Sequence, residues 1–360
     1  MDAITVAILV LTVALAGANG ANDVPKSVAT LAGAGVTRYR TAVAWGAVTT
    51  LVGSLLSLHF ADRLTKLFSK GIVNETPTPA FTLAVLVGAC AWVAFATVTR
   101  LPVSTTQSIV GALVGAGLVL GSGVVNWGAL PEKIVLPTLL AIAVAYGISF
   151  LLNLVRFRGP ECVCVEIEPG EPVPAGSETG AIAVPALRIE TGTLPECRVH
   201  GDGARRVAIT VNGLHWLSSG AASLARGLND TPKIVAIGAF ALIPAGMGSR
   251  SILLYVAVGM AAGSLLFGTR VARRLGDDVV RMDAVEGCKA NLTTAALVGL
   301  AANRGLPLST TQVSAGAIAG TSGAHPSRLH GRTVRDFLIA WIVTPASAGI
   351  VAAVTFAIAR

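Results

Sequence analysis

Charged side chains are scarce in this chain: 13% of its 360 residues are charged and 53% are hydrophobic. Soluble globular domains carry about 25% charged residues, so too little polar sequence is present to cover a surface in water. Apolar segments long enough to cross a bilayer core as helices recur instead, among them residues 41–60, 80–98, 133–155, 249–267 and 334–359. The composition excludes a soluble protein and indicates one that spans the lipid bilayer.

Histidines and acidic residues are also few, at 5 and 19. A membrane enzyme such as a lipid phosphatase needs a nucleophile and a base beside a basic cluster. Only His215 is expected to be embedded, and no catalytic partner for it is evident. The net charge of +8 does not indicate nucleic acid, because the basic residues lie between apolar segments rather than in one patch. We expect neither an enzyme nor a nucleic-acid-binding protein.

Basic residues are absent before the first apolar run, residues 3–18, which argues against a secretory signal peptide. We interpret this run as a retained membrane segment. Arg and Lys are most frequent in the connections that become cytoplasmic when the N-terminus is placed outside. The distribution predicts a multi-pass protein of the cell membrane, with both termini outside and the central insert in the cytoplasm.

Two short motifs each occur twice. NDVPKSVA at 22–29 recurs as NDTPKIVA at 229–236, and LPVSTTQ at 101–107 recurs as LPLSTTQ at 306–312. The order and nearly the same offset are kept, which indicates a duplication. We therefore predict a first membrane repeat at 1–155, a polar cytoplasmic insert at 156–206 and a second membrane repeat at 207–360.

Each half contains five apolar elements, and an odd number of crossings inserts the second half upside down relative to the first. Pro25 and Pro232 follow the two Asn-Asp pairs and are expected to interrupt their helices. We predict an all-α integral membrane protein of two inverted repeats, with about five membrane elements each, 10–12 helices in total, and broken or re-entrant helices.

The two Asn-Asp pairs place carboxylates and amides next to apolar sequence, where they are costly. For one copy a position at the aqueous interface would be explanation enough, but two matching copies favour a function. Carbonyls freed at a helix break, together with Asp and Asn oxygens, form a hard-oxygen site suited to sodium or a proton. The predicted coupling-ion residues are Asn19, Asn22, Asp23, Asn229 and Asp230.

The Ser-Thr-Thr-Gln segments present hydroxyls at a predicted helix start. Neutral donors beside backbone N–H groups bind tetrahedral oxyanions without a fixed countercharge. A single copy would be explained by N-capping alone, but a repeated run of four polar residues favours binding. The predicted substrate residues are Ser104, Thr105, Thr106, Gln107, Ser309, Thr310, Thr311 and Gln312, with Asn22, Asp23, Asn229 and Asp230.

These motifs resemble those of the inorganic phosphate transporter family, often called PiT, whose signature reads Gly-Ala-Asn-Asp-Val-Ala-Asn. GANDVPK at 20–26 and GLNDTPK at 227–233 are similar to it, and the Pro-x-Ser-Thr-Thr segments match as well. The resemblance covers both membrane halves and leaves out the insert. It implies a secondary active transporter that imports inorganic phosphate by symport with sodium or protons, through alternating access around a mid-membrane site.

By this resemblance, phosphate is expected between the two Ser-Thr-Thr-Gln segments. The expected partners are phosphate, the coupling cation and the lipid bilayer. No cofactor is expected, and a homodimer is one option for the assembly. A sulfate or other oxyanion permease of the same fold is the alternative, although a protonated phosphate can donate to Asp23 or Asp230 and sulfate cannot.

Three basic residues depart from the family pattern. Lys26 and Lys233 stand where the signature has its second Asn, and their ammonium groups could occupy a cation position or pair with phosphate. Arg226 aligns with Asn19, where relatives often carry His. It is either a charge partner of the site or a residue that snorkels to the membrane edge.

The insert contains Cys162, Cys164, Cys197 and His200, which could form a four-ligand zinc set. The alternative is free or disulfide-linked cysteines in a small β module. Residues 162–167 and 181–189 alternate or are β-branched and are bounded by Pro and Gly, which predicts short strands.

Overall fold

The structure is a computed structural model that describes residues 2–59, 65–154, 162–168, 186–193, 205–278, 282–323, 329 and 331–360. The described part of the first half forms α1 (Ala3–Asp23), α2 (Pro25–Gly33), α3 (Tyr39–Leu56), α4 (Pro79–Val98), α5 (Thr105–Leu120) and α6 (Leu136–Leu154). The second half forms α7 (Val211–Leu242), α8 (Ser249–Asp278), α9 (Ala284–Arg304), α10 (Thr310–Gly320) and α11 (Gly331–Ala359).

Six helical segments of the described chain are long and apolar enough to cross a membrane: Ala3–Gly33, Tyr39–His59, Pro79–Val98, Pro131–Leu154, Ser249–Gly276 and Val334–Ala359. The bundle exposes apolar side chains on its outer surface and buries a polar cluster within an otherwise apolar core. Leu266, Ile342 and Ile358 are more than two thirds exposed, whereas Asn and Asp side chains of the motifs are buried. This distribution is the one expected in lipid, and it confirms the predicted all-α membrane fold.

The helices of the two halves pack in exchanged pairs. Helix α1 packs along α8 as α7 packs along α3, and α5 packs along α11 as α10 packs along α6. In chain order α1 and α2 correspond to α7, α3 to α8, α5 to α10 and α6 to α11. Each half therefore completes its packing on the other, as a two-fold relation between the halves would require. That the second half is inverted stays a prediction.

Glycines allow the backbones of these pairs to touch. Gly111 and Gly115 of α5 face α11, and a Cβ added at Gly115 would lie 2.1 Å from the carbonyl oxygen of Gly349. Gly316 and Gly320 of α10 face α6 in the same way, with 2.4 Å between an added Cβ at Gly320 and the carbonyl oxygen of Tyr146. Small residues at this spacing are a common way for membrane helices to approach closely.

The helix is interrupted at only one of the two motif prolines. Helix α1 ends at Asp23 and α2 begins at Pro25, whereas α7 runs through Pro232 without a break. The predicted interruption at Pro232 is therefore wrong. A proline removes one helical hydrogen bond, and membrane helices tolerate this loss when the surrounding structure compensates for it. Helices α5 and α10, which are short, also begin inside the bundle.

The insert contains an antiparallel sheet of three strands, β1 (Cys162–Glu168), β2 (Ala186–Gly192) and β3 (Arg205–Thr210), in the order β2-β1-β3. Strand β3 leads directly into α7, where the Thr210 hydroxyl accepts a hydrogen bond from the Gly213 amide. Cys162 is disulfide-bonded, which favours the disulfide alternative. Cys197 and His200 lie outside the described residues, so the zinc set stays a prediction.

The close crossing of α5 and α11 yields a stability prediction. Gly115→Ala places a methyl group against backbone that cannot move aside, and we expect a loss of about 1–3 kcal/mol. The control is Gly147→Ala on α6, where an added Cβ meets nothing within 4 Å. There the better helix propensity of Ala should stabilise by up to about 1 kcal/mol. Thermal unfolding of the purified variants in detergent measures both, and equal effects at the two positions would contradict the crossing.

Candidate functional site

The four motif copies come together at the starts of α5 and α10. The hydroxyls of Ser104 and Ser309 are 2.8 Å apart, although the residues are 205 positions apart in the chain. Both serines also accept a hydrogen bond at the N-terminus of their own helix, from the amides of Gln107 and Gln312. Capping and convergence therefore occur together, and two helix N-termini face each other inside the bundle.

Asp23 collects donors from four elements. Its carboxylate accepts from Lys26 Nζ on α2, from Asn19 Nδ2 on α1 at 2.6 Å and from Thr105 Oγ1 on α5 at 2.9 Å. The hydroxyl of Thr311 on α10 lies 3.2 Å from the same carboxylate. The side chain of Asp23 is 1% exposed. It is therefore a buried carboxylate whose acceptor capacity is largely used by the protein itself.

Asp230 has a similar environment in the second half. Its carboxylate accepts from Lys233 Nζ at 3.0 Å, from Asn229 Nδ2 at 3.0 Å and from Thr310 Oγ1 at 3.3 Å. Thr310 is the counterpart of Thr105 in the other motif copy. The lysine and threonine contacts thus recur in both halves, whereas the amide donors, Asn19 and Asn229, are not counterparts of each other in the repeat.

Each lysine reaches across to the other half. Lys26 Nζ donates to the Val103 carbonyl at 2.7 Å and to Thr311 Oγ1 at 2.6 Å, in addition to Asp23. Lys233 Nζ donates to the Leu308 carbonyl at 3.0 Å and to Thr106 Oγ1 at 2.8 Å, in addition to Asp230. Both lysines are buried.

The backbone carbonyls in these contacts come from an unexpected place. We expected carbonyls freed at the helix breaks beside Pro25 and Pro232 to line a cation site. The carbonyls that face the lysines are instead those of Val103 and Leu308, in the extended segments that precede α5 and α10. These residues follow Pro102 and Pro307, so the second motif pair supplies both the carbonyls and the hydroxyls.

Arg226 is fully buried and does not snorkel. Its Nε, Nη1 and Nη2 donate to the hydroxyls of Ser27 at 3.2 Å, Thr310 at 2.9 Å and Ser314 at 3.2 Å. Asn19, its counterpart, contacts Thr105 at 3.0 Å. The guanidinium is therefore bound by neutral oxygens inside the site. With Lys26 and Lys233 it gives three cations against two carboxylates, a net charge of +1 that an anion would balance.

Amide oxygens at the site remain available. Among the described residues, the side-chain oxygens of Asn19, Asn229, Gln107 and Gln312 are buried and have no hydrogen-bond partner. Asn22 differs, because its amide donates to the Leu101 carbonyl at 2.9 Å and its Oδ1 accepts from the Val103 amide at 3.2 Å. Asn22 therefore holds the segment before α5 in place, while the other four side chains could accept from a ligand or bind a cation.

The model of the phosphate transporter family matches residues 19–352 of this chain. The chain belongs to this family. A relative named as a phosphate permease in Pyrococcus abyssi is 28% identical, over 99% of this chain and 98% of its own length. A low-affinity inorganic phosphate transporter of Mycobacterium tuberculosis is 28% identical, over 97% of this chain and 76% of its own length. A solved structure, the sodium-dependent phosphate transporter, shares the fold with a TM-score of 0.79 and 21% identity, over 99% of both chains.

Membership of the phosphate transporter family confirms the resemblance carried by the motifs. The family and these named relatives are transporters, so the chain is a multi-pass membrane transporter and not an enzyme. His215 contacts the Thr30 hydroxyl at 3.1 Å. Neither His215 nor Thr30 is among the residues that meet at the starts of α5 and α10.

Sequence reasoning missed two hydroxyls and two carbonyls of the site. Ser27 and Ser314 bind Arg226, and the carbonyls of Val103 and Leu308 bind the lysines. A weak signal was present for Ser314, which is three residues after Thr311 and so on the same helical face. Ser27 lies within the first motif copy, but Ile234 replaces it in the second copy, so the repeat gave no indication of it.

The buried ion pair yields a second prediction. Asp23→Asn leaves the Lys26 ammonium buried without its carboxylate, and loss of one partner from such a pair costs about 3–5 kcal/mol. The double variant Asp23→Asn/Lys26→Met removes both charges and should recover a large part of this loss. Thermal unfolding in detergent measures the four members of the cycle.

The control for this cycle is Asp336→Asn at the surface. Asp336 pairs with Arg335 at 3.3 Å, where the side chains are 35% and 68% exposed, and such a pair contributes at most about 1 kcal/mol. An Asp23→Asn protein as stable as the parent, or a double variant no better than the single one, would contradict a structural ion pair.

Proposed function

We propose that this chain imports inorganic phosphate by symport with a cation, and that phosphate binds between the starts of α5 and α10. The observation that carries the proposal is the meeting of these two helix N-termini at Ser104 and Ser309 inside a buried cluster of net charge +1. Helix N-termini and excess positive charge attract anions. Hydroxyl donors from both helices suit a tetrahedral oxyanion.

Phosphate suits the cluster better than sulfate. Asp23 and Asp230 are acceptors at the site, and a phosphate that carries a proton can donate to them, whereas sulfate has no proton to give. The relatives named above are a phosphate permease and an inorganic phosphate transporter, which supports the same choice. The proposed phosphate site comprises Asn22, Asp23, Ser104, Thr105, Thr106 and Gln107 and their counterparts Asn229, Asp230, Ser309, Thr310, Thr311 and Gln312, with Asn22 positioning the segment before α5.

The proposal requires movement, because the site is closed in this structure. A cavity of about 10 Å³ touches Lys26, Thr311 and Ser314, and a space of this size holds about one water molecule. Its other walls include the apolar side chains of Leu275 and Phe337. We infer that phosphate enters when the helices around the site separate, first on one side of the membrane and then on the other.

The coupling cation belongs to the same cluster. Sodium and the proton are the two candidates, and Asp23, Asp230, Asn19, Asn22 and Asn229 are the proposed residues. Asn19 and Asn229 have free amide oxygens, whereas the amide of Asn22 is already occupied by the segment before α5. Asn22 therefore acts on the cation by positioning the Val103 carbonyl rather than by direct ligation.

Inverted halves would give alternating access a simple basis, since rocking one half against the other exposes the site to opposite sides. We propose that the N- and C-termini lie outside the cell and the 156–206 insert in the cytoplasm. If the C-terminus is outside, alkaline phosphatase fused after Arg360 should be active. Green fluorescent protein fused at the same position should not fluoresce, because it does not fold when it is exported through the general secretory route. The opposite pattern would contradict the orientation.

Transport is tested by uptake of radiolabelled phosphate into proteoliposomes under imposed sodium or proton gradients. Uptake should be specific, with sulfate competing weakly. Thr106→Val and Thr311→Val each remove one hydroxyl that is proposed to bind phosphate. The loss of such a hydrogen bond to a charged ligand costs about 1–3 kcal/mol of binding free energy. This corresponds to a phosphate concentration for half-maximal uptake raised by about 5- to 150-fold.

The control for these variants is Thr355→Val on α11. Its hydroxyl donates only to the Val351 carbonyl of its own helix, at 2.8 Å, so half-maximal uptake should not shift. If sulfate is accumulated in preference to phosphate, the chain is an oxyanion permease of a different specificity. If Thr106→Val and Thr311→Val bind phosphate as the parent does, the site is elsewhere.

A further inference from the structure

The ammonium groups of Lys26 and Lys233 are held as a bound cation would be. Each Nζ is surrounded by one carboxylate oxygen, one backbone carbonyl oxygen and one threonine hydroxyl. Carboxylate, carbonyl and hydroxyl oxygens are the ligands that hard cations take in proteins. The arrangement occurs twice, from residues 207 positions apart in the chain.

We propose that these two ammonium groups occupy the cation positions of the transport site, so that phosphate uptake by this chain does not require sodium. The inference rests on the proposed phosphate transport and specifies its coupling. The positive charges at these two positions are carried by lysine side chains of the protein, and so they need not be supplied by sodium ions from solution.

The hydrogen bonds of the lysines leave little for sodium to bind. An ammonium has three donors, and each lysine uses them on three different oxygens. A sodium ion would have to share the oxygens of Asp23 or Asp230 with an ammonium in direct contact with them. Like charges at such a distance repel strongly in a site from which water is excluded.

The net charge of the buried cluster also disfavours sodium binding. Lys26, Lys233 and Arg226 against Asp23 and Asp230 give +1, and two added sodium ions would raise this to +3 in a site that is buried. The existing charge of +1 is already matched by a singly charged phosphate. The lysines and the arginine therefore supply the positive charge that phosphate needs.

The first experiment uses the unmodified chain. Initial uptake of radiolabelled phosphate into proteoliposomes is measured with sodium or with choline outside, at equal pH and membrane potential. A cation without a site has no differential affinity for the conformations of the transporter, so the two rates should agree within about twofold. A rate that rises with sodium and saturates overturns the inference and leaves phosphate transport intact.

Sodium binding is measured separately, so that the inference is tested even if no uptake is found. A cation that binds the folded protein raises its melting temperature. The unmodified chain in detergent should melt at the same temperature in sodium chloride and in choline chloride. Absence of phosphate uptake under every gradient would overturn the proposed function, whereas stabilisation by sodium would overturn the sodium inference.

The lysines are then exchanged for a shorter neutral side chain. In Lys26→Asn/Lys233→Asn, the oxygens of the two aspartates, Val103 and Leu308 lose their ammonium partners and become available to sodium. This variant should gain a sodium-dependent rise in melting temperature and, where it transports, sodium stimulation of uptake by roughly tenfold, equivalent to 1.4 kcal/mol. The single variants are measured alongside in case the double variant does not purify as a folded protein.

The matched control is Lys133→Asn, at an exposed lysine of the helical segment Pro131–Val135. It should show no response to sodium in either measurement. If the variants at Lys26 and Lys233 respond to sodium no more than Lys133→Asn does, their ammonium groups do not occupy cation positions and the inference is wrong.

Discussion

Two buried ion pairs, Lys26 with Asp23 and Lys233 with Asp230, are the interactions on which the rest of this structure depends. Each pair is local in sequence, but its ammonium also binds a threonine of the other half. A buried charge that loses a partner is strongly destabilising. The two halves are therefore held together at their most polar point as well as by apolar packing, and any movement that exposes the site must keep these charges satisfied.

Close helix crossings make this polar centre geometrically feasible. The threonines reach the lysines because α5 and α10 begin inside the bundle, and these short helices are held by glycine contacts with α11 and α6. Without a hydrophobic driving force between helices in lipid, such packing is a main source of association. Gly115 and Gly320 thus contribute to the site although neither touches it.

Much of this arrangement was predictable from the repeats. The membrane segments and the duplication follow from composition and spacing, and the convergence of Asp23, Asp230 and the Ser-Thr-Thr-Gln segments was implied by the family resemblance. Three features did not follow: the continuity of α7 through Pro232, the carbonyls of Val103 and Leu308, and the hydroxyl partners of Arg226. Each depends on how helices distant in sequence cross, and local propensity carries no information about such crossings. The repeat also gives no indication of a site residue where its two copies differ, as at Ser27, which is replaced by Ile234 in the second copy.

The long sequence separation between Lys26 and Thr311, 285 residues, has a consequence for biosynthesis. At ribosomal rates of about 5–20 residues per second, Thr311 is synthesised roughly 15–60 s after Lys26. During that interval the ammonium and the Asp23 carboxylate, three residues apart on neighbouring turns, can enter the bilayer as a neutral pair. Lys233 and Asp230 have the same spacing, but Thr106, the threonine that Lys233 contacts, is made before them. The local pair at Lys26 therefore lets the first half be inserted by the translocon before the second half exists.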